Sequence, residues 1–469
     1  MKKATLLPLI AATIIMSCNN NEPAKQEGTA TKPYRLVTLD PGHFHAALVQ
    51  KSMYPDVDST VYVYAPDGPD LQMHLDRING YNTRAENPTH WNEQVYKGND
   101  FFEKMIAEKK GNVVVLAGNN QKKTEYILES LKNGFNVLAD KPMVINSLGF
   151  EQLKQAFETA KNNKLLLYDI MTERSEITTV LQRELSMMKD VFGDLQKGTL
   201  EQPAITKESV HHFYKYVSGS VLTRPAWFMD VAQQGEGIVD VMTHLVDLVQ
   251  WECFPEQTID YTKDIQVDKA KRWPTAMSRS EFKEITKLQD FPSYLDKDKF
   301  AVLDSNIKEP FLNIYCNGEI NYTIRGVHAK TSVIWNYKAP EGGGDTHYSI
   351  MRGTKANLII KQGAEEKYIP TLYIEPVKKD PAFEQLIIKA INDLSVKYNG
   401  VKLSNSTNGW QVVISEKLRE GHEAHFARVM ERFLDYLKNG NLPAWEVPNM
   451  IAKYYTTTKG LETALKTKD

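Results

Sequence analysis

From Tyr34 onward, short apolar runs alternate with amphipathic stretches. "YRLVTL" reads as a strand, "HAALVQKSM" as a helix, "STVYVYA" as a strand and "DFFEKMIAEKK" as a helix. "NVVVLAG", "KTEYILESLKNG" and "NVLADKP" continue the alternation, the last a strand stopped by proline. "FEQLKQAFETAKNN" and "KLLLYDI" add a helix and a strand, closing a unit over 34–170. Strands alternating with helices predict a parallel sheet covered on both faces, an α/β doubly wound arrangement.

Beyond residue 170 the pattern changes. "EPFLNIYCNGEINYTIRG", "KTSVIWNYKA" and "TKANLIIKQG" are long β-rich runs ending near glycine, as in an open antiparallel sheet joined by turns. Helices return at "PAFEQLIIKAINDLS" and "HEAHFARVMERFLDYLKNG", so 171–469 is expected to form an α+β domain. Its stretch 255–308 is polar, lysine-rich and weakly periodic, and reads as an insertion.

Composition narrows the function classes. The 469 residues are 42% hydrophobic and 25% charged, an ordinary globular balance. Lys plus Arg number 57 against 59 Asp plus Glu, so no excess positive charge is available for a phosphate backbone, and nucleic acid is not an expected partner.

The N-terminus carries an address. "MKKATLLPLIAATIIMSC" has two lysines, an apolar run too short for the about 20 residues of a membrane span, and Ser17 before Cys18. Residues 1–17 are expected to be a signal peptide, Cys18 a lipidation site, and 18–33 a flexible tether holding the protein to a bacterial cell envelope. Contact with the membrane would be through this anchor only. Cys253 and Cys316 are then the cysteines left to form a disulfide, and their spacing matches no metal motif.

The candidate chemistry starts in "LVTLDPGHFHAALV". An apolar strand running through a tight turn into a helix is where a Rossmann fold places its GxGxxG loop. Here Asp40 holds the first glycine position, Gly42 the second and His45 the third. Gly42 keeps the close approach to a pyrophosphate, Asp40 would repel it, and His43 or His45 would attract it if protonated. A turn capped by Asp and His is the other reading. A metal pair at His43 and His45 is disfavoured because no third ligand stands nearby in sequence. After the second strand, Asp67 either bonds ribose hydroxyls or merely makes a turn with Gly68, and the lack of an adjacent arginine tilts any cofactor toward NAD rather than NADP.

Two further signals are sharper. In "NVLADKPM", Lys141 sits at the carboxyl end of a parallel strand, where such folds bind ligands. In "GEGIVDVMTHLVDLVQW", read as a helix from near Gly237, Asp240, Thr243, His244 and Asp247 form one polar stripe on an apolar helix. An Asp and a His one turn apart can hydrogen-bond, which would fix the imidazole tautomer and raise its basicity.

Together these segments resemble the glucose-fructose oxidoreductase and inositol dehydrogenase family, Gfo/Idh/MocA. "VVVLAGNNQKKTEYILESLKNGFNVLADKPM" is similar to the stretch ending in that family's Glu-Lys-Pro motif, with Asp140 replacing Glu. "LLLYDIMTER" resembles the segment entering the second domain. "RPAWFMDVAQQGEGIVDVMTHLVD" resembles the tryptophan, glycine-pair and DxxxH segment, with Glu236 interrupting the glycines.

The resemblance implies hydride transfer between a sugar, glycoside or cyclitol and a tightly bound nicotinamide. Lys141 would contact cofactor and substrate, His244 would take the hydroxyl proton, and Asp240 would orient His244. Gly42, His43, Phe44, His45, Asp67, Asn119, Asn120, Asp140 and Pro142 would join Lys141 around the cofactor. Arg174 and Trp227 would meet the substrate, Trp227 as a stacking face. A homodimer is expected by analogy.

Because free NAD is scarce outside the cytoplasm, a retained and recycled cofactor is expected. The leading expectation is an envelope enzyme making a keto-sugar, with oxidation at carbon 3 of a glycoside as one form. An NAD-dependent glycosidase working by transient oxidation and elimination is the alternative, and a non-catalytic carbohydrate-binding lipoprotein is a third.

Overall fold

A computed structural model describes residues 1, 32–217, 220–300 and 310–467. Cys18 and the expected signal and tether lie outside the described residues, apart from Met1 and the tether's last two positions. Six strands form the first sheet: β1 (Leu36–Leu39), β2 (Thr60–Ala65), β3 (Asn92–Lys97), β4 (Val113–Leu116), β5 (Asn136–Asp140) and β6 (Leu167–Ile170). All pairs are parallel, in the order β3-β2-β1-β4-β5-β6. This is the doubly wound order whose ligand crevice opens where the winding reverses, at the carboxyl ends of β1 and β4.

Two elements of this unit are absent from the pattern reading. The helix Pro69–Thr83 buries only Leu71, His74 and Ile78, so its apolar stripe is too sparse to register. β3 is an edge strand with no buried residue, and its polar sequence reads as loop. The expected "HAALVQKSM" helix is a single turn, His45–Leu48.

The second sheet runs Ile265–Ser278, Phe311–Ile324, Val327–Lys338, Ile205–Tyr214, Thr346–Arg352, Ala356–Gln362, Thr371–Pro376, Trp410–Val413 and Lys402–Asn405. Only Val327–Lys338 with Ile205–Tyr214 is parallel among these neighbours. Within the stretch expected as an insertion, Ile265–Ser278 is an outer strand paired with Phe311–Ile324, and its lysines and exposed positions suit an edge. A capping box of Ser278 and Glu281 then starts the helix Arg279–Thr286.

The chain returns to the first sheet at its end. Phe426, Val429, Met430 and Phe433 of the helix His422–Asn439, with Met450 and Tyr454 of the helix Glu446–Lys466, share a core with β1, β4 and β5. The core around the parallel sheet therefore extends beyond 34–170. No described helix is long and apolar enough to cross a membrane. Cys253 and Cys316 are free thiols, both pushed up by burial, Cys316 to about 12.

Candidate active site

Lys141 follows β5 directly, and its peptide bond to Pro142 is cis. The chain facing it is a turn at 237–241 followed by the helix Met242–Cys253, so the helix starts later than its sequence suggests. Gly237 is required for that placement. A Cβ there would stand 1.8 Å from the carbonyl oxygen of Cys316, and only glycine lets the turn press onto the second sheet.

The turn brings Asp240 to Lys141. Lys141 Nζ donates to Asp240 Oδ1 at 2.6 Å, and Gln234 Nε2 donates to Asp240 Oδ2 at 2.9 Å. Burial alone would lower the Lys141 pKa, but the charges of Asp240 and Asp140 outweigh it and raise the value. The ammonium is therefore kept.

His244 differs from its expected arrangement. Asp240 does not hold it, because both Asp240 oxygens are engaged by Lys141 and Gln234, and His244 Nδ1 is buried without a partner. Burial first, then the Lys141 charge, pushes its pKa well below the ordinary value, so the ring stays neutral.

Lys141, Asp240 and His244 line one cavity of about 750 Å³ together with His43, Phe44 and His45. The cavity also takes in groups the sequence reading missed. His211, Lys215, Trp335, Asp345 and His422 all line it. Asp345 accepts from Lys215 Nζ at 2.6 Å and from His212 Nδ1 at 3.0 Å, and despite burial its carboxyl is held well below the usual range by His211 and Lys215. The signal was present in "HHFYKY", where histidines and aromatics crowd one strand.

Two expected substrate contacts lie elsewhere. Arg174 is 3% exposed and outside the cavity lining. Its Nε and Nη2 each donate to Asp247 at 2.7 Å, and Nη1 donates to Glu446 at 3.0 Å. It ties the start of the second domain to the last helix. Trp227 also lies outside the cavity: its indole N–H donates to Asp70 Oδ2 at 2.8 Å. The aromatic side chains that line the cavity include Phe44, Phe228 and Trp335 instead.

The altered glycine loop is closed on itself. Asp40 adopts a left-handed φ of 48°. The Gly42 amide donates to Asp40 O, the His43 amide to Ala117 O, and the His45 amide to His43 Nδ1. A Cβ on Gly42 would meet Asp70 Oδ2 and Trp227, each at 3.1 Å. Burial and the neighbouring Asp70 push Asp40 up to about 6, and burial raises Asp70 as well. Burial pushes His43 and His45 well down, so neither offers a cation to a phosphate.

Beside the loop, Asn119 donates to Gln233 Oε1, and Asn120 to the Gln234 carbonyl, both at 2.7 Å. Asp67 lies 77% exposed near Lys97. Asp140 accepts from His45 Nδ1 at 2.9 Å.

Residues 181–465 match the family model described as "Putative oxidoreductase C terminal domain". Residues 70–169 match the Gfo/Idh/MocA model, "Oxidoreductase family, NAD-binding Rossmann fold". The chain belongs to the Gfo/Idh/MocA oxidoreductases. Among solved structures it is similar to a "putative oxidoreductase" from Parabacteroides merdae ATCC 43184, with 58% identity and a TM-score of 0.89, covering 93% of this chain and 98% of that one. Levoglucosan dehydrogenase in complex with NADH shares the fold at 10% identity and a TM-score of 0.59, covering 92% and 97%. A 3-ketoreductase variant from Actinomadura kijaniata, solved with TDP-benzene and NADP, does so at 13% identity and 0.54, covering 91% and 96%. No functionally curated protein matches the chain.

Family membership implies a nicotinamide dinucleotide, and a second cavity of about 350 Å³, lined by Asp40, Asp67, Gly68, Asp70 and Trp227, lies on the far side of the loop from Lys141. A charged Lys141 at the end of β5 suits the reactive end. At the loop, the amides of Gly42, His43 and His45 are bonded within the protein, and Asp70 and Trp227 crowd Gly42. A pyrophosphate over Gly42 therefore requires Asp70 and Trp227, joined by their hydrogen bond, to move aside.

Proposed function

We propose that this Gfo/Idh/MocA member is a cell-envelope oxidoreductase, anchored through a lipid on Cys18, that acts on a hydroxyl of a sugar or glycoside. The observation that carries this reading is a charged lysine and a neutral histidine lining one cavity from opposite sides of the domain junction. An alcohol gives up its proton only to a base, and the resulting oxygen anion needs a cation beside it. His244, kept neutral by burial, is the base. Lys141, kept charged by Asp240, is the cation. Asp240 acts as a positioning residue for Lys141.

The carried-over electron acceptor is tightly bound NAD, with NADP disfavoured. A keto-sugar, with C3 of a glycoside as the leading position, is the proposed product. A second reading, a carbohydrate-binding protein on a dehydrogenase scaffold, draws support from Asp70 and Trp227 crowding Gly42.

The test is mass and absorbance analysis of material released from the denatured, purified protein, followed by incubation with NAD and a panel of glycosides. Released or captured NAD together with a keto-sugar product is expected. Finding no dinucleotide and no uptake of added NAD overturns the oxidoreductase reading and leaves the binding protein.

A further inference from the structure

The loop that replaces the glycine fingerprint delivers two histidines to the last residue of β5. His45 Nδ1 lies 2.9 Å and His43 Nδ1 3.9 Å from the same oxygen, Asp140 Oδ2. One donor atom from each of the three residues lies within 4.8 Å of the others. Sequence reading set a metal aside for want of a third ligand near His43 and His45. The fold supplies it from Asp140, 95 residues beyond His45.

We infer that His43, His45 and Asp140 form a binding site for a divalent transition-metal ion of the zinc, cobalt, iron or manganese type, beside Lys141 on the cavity wall.

The donor set selects this class of ion. Two imidazoles and one carboxylate suit these metals and leave coordination positions open to water or to a substrate oxygen, whereas calcium and magnesium prefer all-oxygen shells. Donor atoms about 2.0–2.2 Å from an ion stand roughly 3–4 Å apart, close to the spacing found. The three side chains are 17%, 10% and 5% exposed, so bulk water competes little with an ion. His43 Nδ1 accepts only a long 3.4 Å bond from the His45 amide, which leaves its lone pair easily turned to a metal.

The backbone of Asp140 is also fixed. Lys123 Nζ donates to its carbonyl at 3.1 Å. Lys141 is drawn away toward Asp240 at 2.6 Å.

The experiment uses tag-free full-length protein. Metal content is measured on the isolated protein by mass spectrometry. After chelation, Zn²⁺, Mn²⁺ and Co²⁺ are titrated separately by calorimetry, with the visible spectrum of the Co²⁺ form recorded. One ion per chain is expected, with binding weakened by about 100-fold or more in His45→Ala and Asp140→Asn. His43→Gln, at the most exposed of the three positions, keeps the test valid if the buried variants fail to fold. The inference is overturned if wild type takes up none of these ions, or binds them equally well after His43→Gln with native circular dichroism. It does not rest on the oxidoreductase reading: dinucleotide content of the same samples is scored separately, and either result can fail alone.

Discussion

Lys141 and Asp240 stand 99 residues apart in the chain and meet at 2.6 Å across the junction of the two sheets. This pair takes the place of the expected Asp240–His244 contact, and it sets the charge state of the lysine. Asp240→Asn is expected to destabilise the fold by about 3–5 kcal/mol, because a buried ammonium is left without its partner. In the wild type the raised Lys141 pKa gives stability that is complete below the ordinary value of 10.5 and lost only as pH rises past the folded value. In the variant, burial dominates and the folded pKa drops below the unfolded one. Stability then climbs as pH rises toward the ordinary value of 10.5, as the unfolded chain loses its proton. Urea denaturation of both proteins over this rise in pH checks the sign.

Arg174 gives a second separation of roles. Its guanidinium joins Asp247 to Glu446, and Lys453 meets Asp247 at 2.8 Å and Asp169 at 2.6 Å, so five charges are buried together. Arg174→Ala is expected to cost about 3–5 kcal/mol, read as a lower urea midpoint, while KM of the folded fraction stays unchanged. A raised KM with unaltered stability would return Arg174 to the substrate site.

For the proposed base, His244→Ala is expected to lower turnover by about 100- to 10,000-fold, the usual share of a general base, while dinucleotide content stays as in wild type. Steady-state rates on whichever glycoside the wild type oxidises, with cofactor content measured in parallel, decide it. Unchanged turnover would move the base to another cavity histidine.

The parts of this site legible in the sequence were those set by one segment. Lys141 stood out because an apolar run and a proline fix a strand end, and His244 because it interrupts an apolar helix. Relations between segments were hidden. The i, i+4 spacing of Asp240 and His244 suggested a contact that a helix starting at Met242 does not make, since Asp240 belongs to the turn before it. Asp140 could not be matched to His45, nor Arg174 to Glu446, because only tertiary packing joins them. In the fold, buried strands such as β4 were plain, whereas β3 and Ile265–Ser278 were obscured because edge strands wear polar side chains.

His74 tests how burial sets stability against pH. It sits on Pro69–Thr83, 2% exposed, with neither ring nitrogen hydrogen-bonded, and burial pushes it down to about 3 from 6.5. A depressed folded pKa means the unfolded chain binds a proton first, so its contribution is present above pH 6.5 and lost as pH falls toward 3. His74→Leu removes this loss. The variant's stability relative to wild type is expected to improve by about 2 kcal/mol between about pH 7 and about pH 5, measured by urea titration at both values. A constant difference across that range would show that His74 is not buried as described.

Asp70 decides whether the crevice over Gly42 ever admits a dinucleotide. Its carboxylate holds the Trp227 indole at 2.8 Å, and both would crowd a Cβ on Gly42. An anion passing there meets Asp70 with Asp40 beside it. Asp70→Asn keeps an acceptor for the indole and removes the charge, so about a tenfold gain in NAD affinity is expected, equivalent to about 1.4 kcal/mol of relieved repulsion. Asp67→Asn is the control, because a side chain that is 77% exposed is screened by solvent and should change little. Calorimetric titration with NAD at two salt concentrations distinguishes the cases. A gain confined to Asp70→Asn, and smaller at high salt, places the phosphates over Gly42 once Trp227 moves. Equal affinity in wild type and both variants would mean that any dinucleotide reaches Lys141 by a route that avoids the old glycine loop.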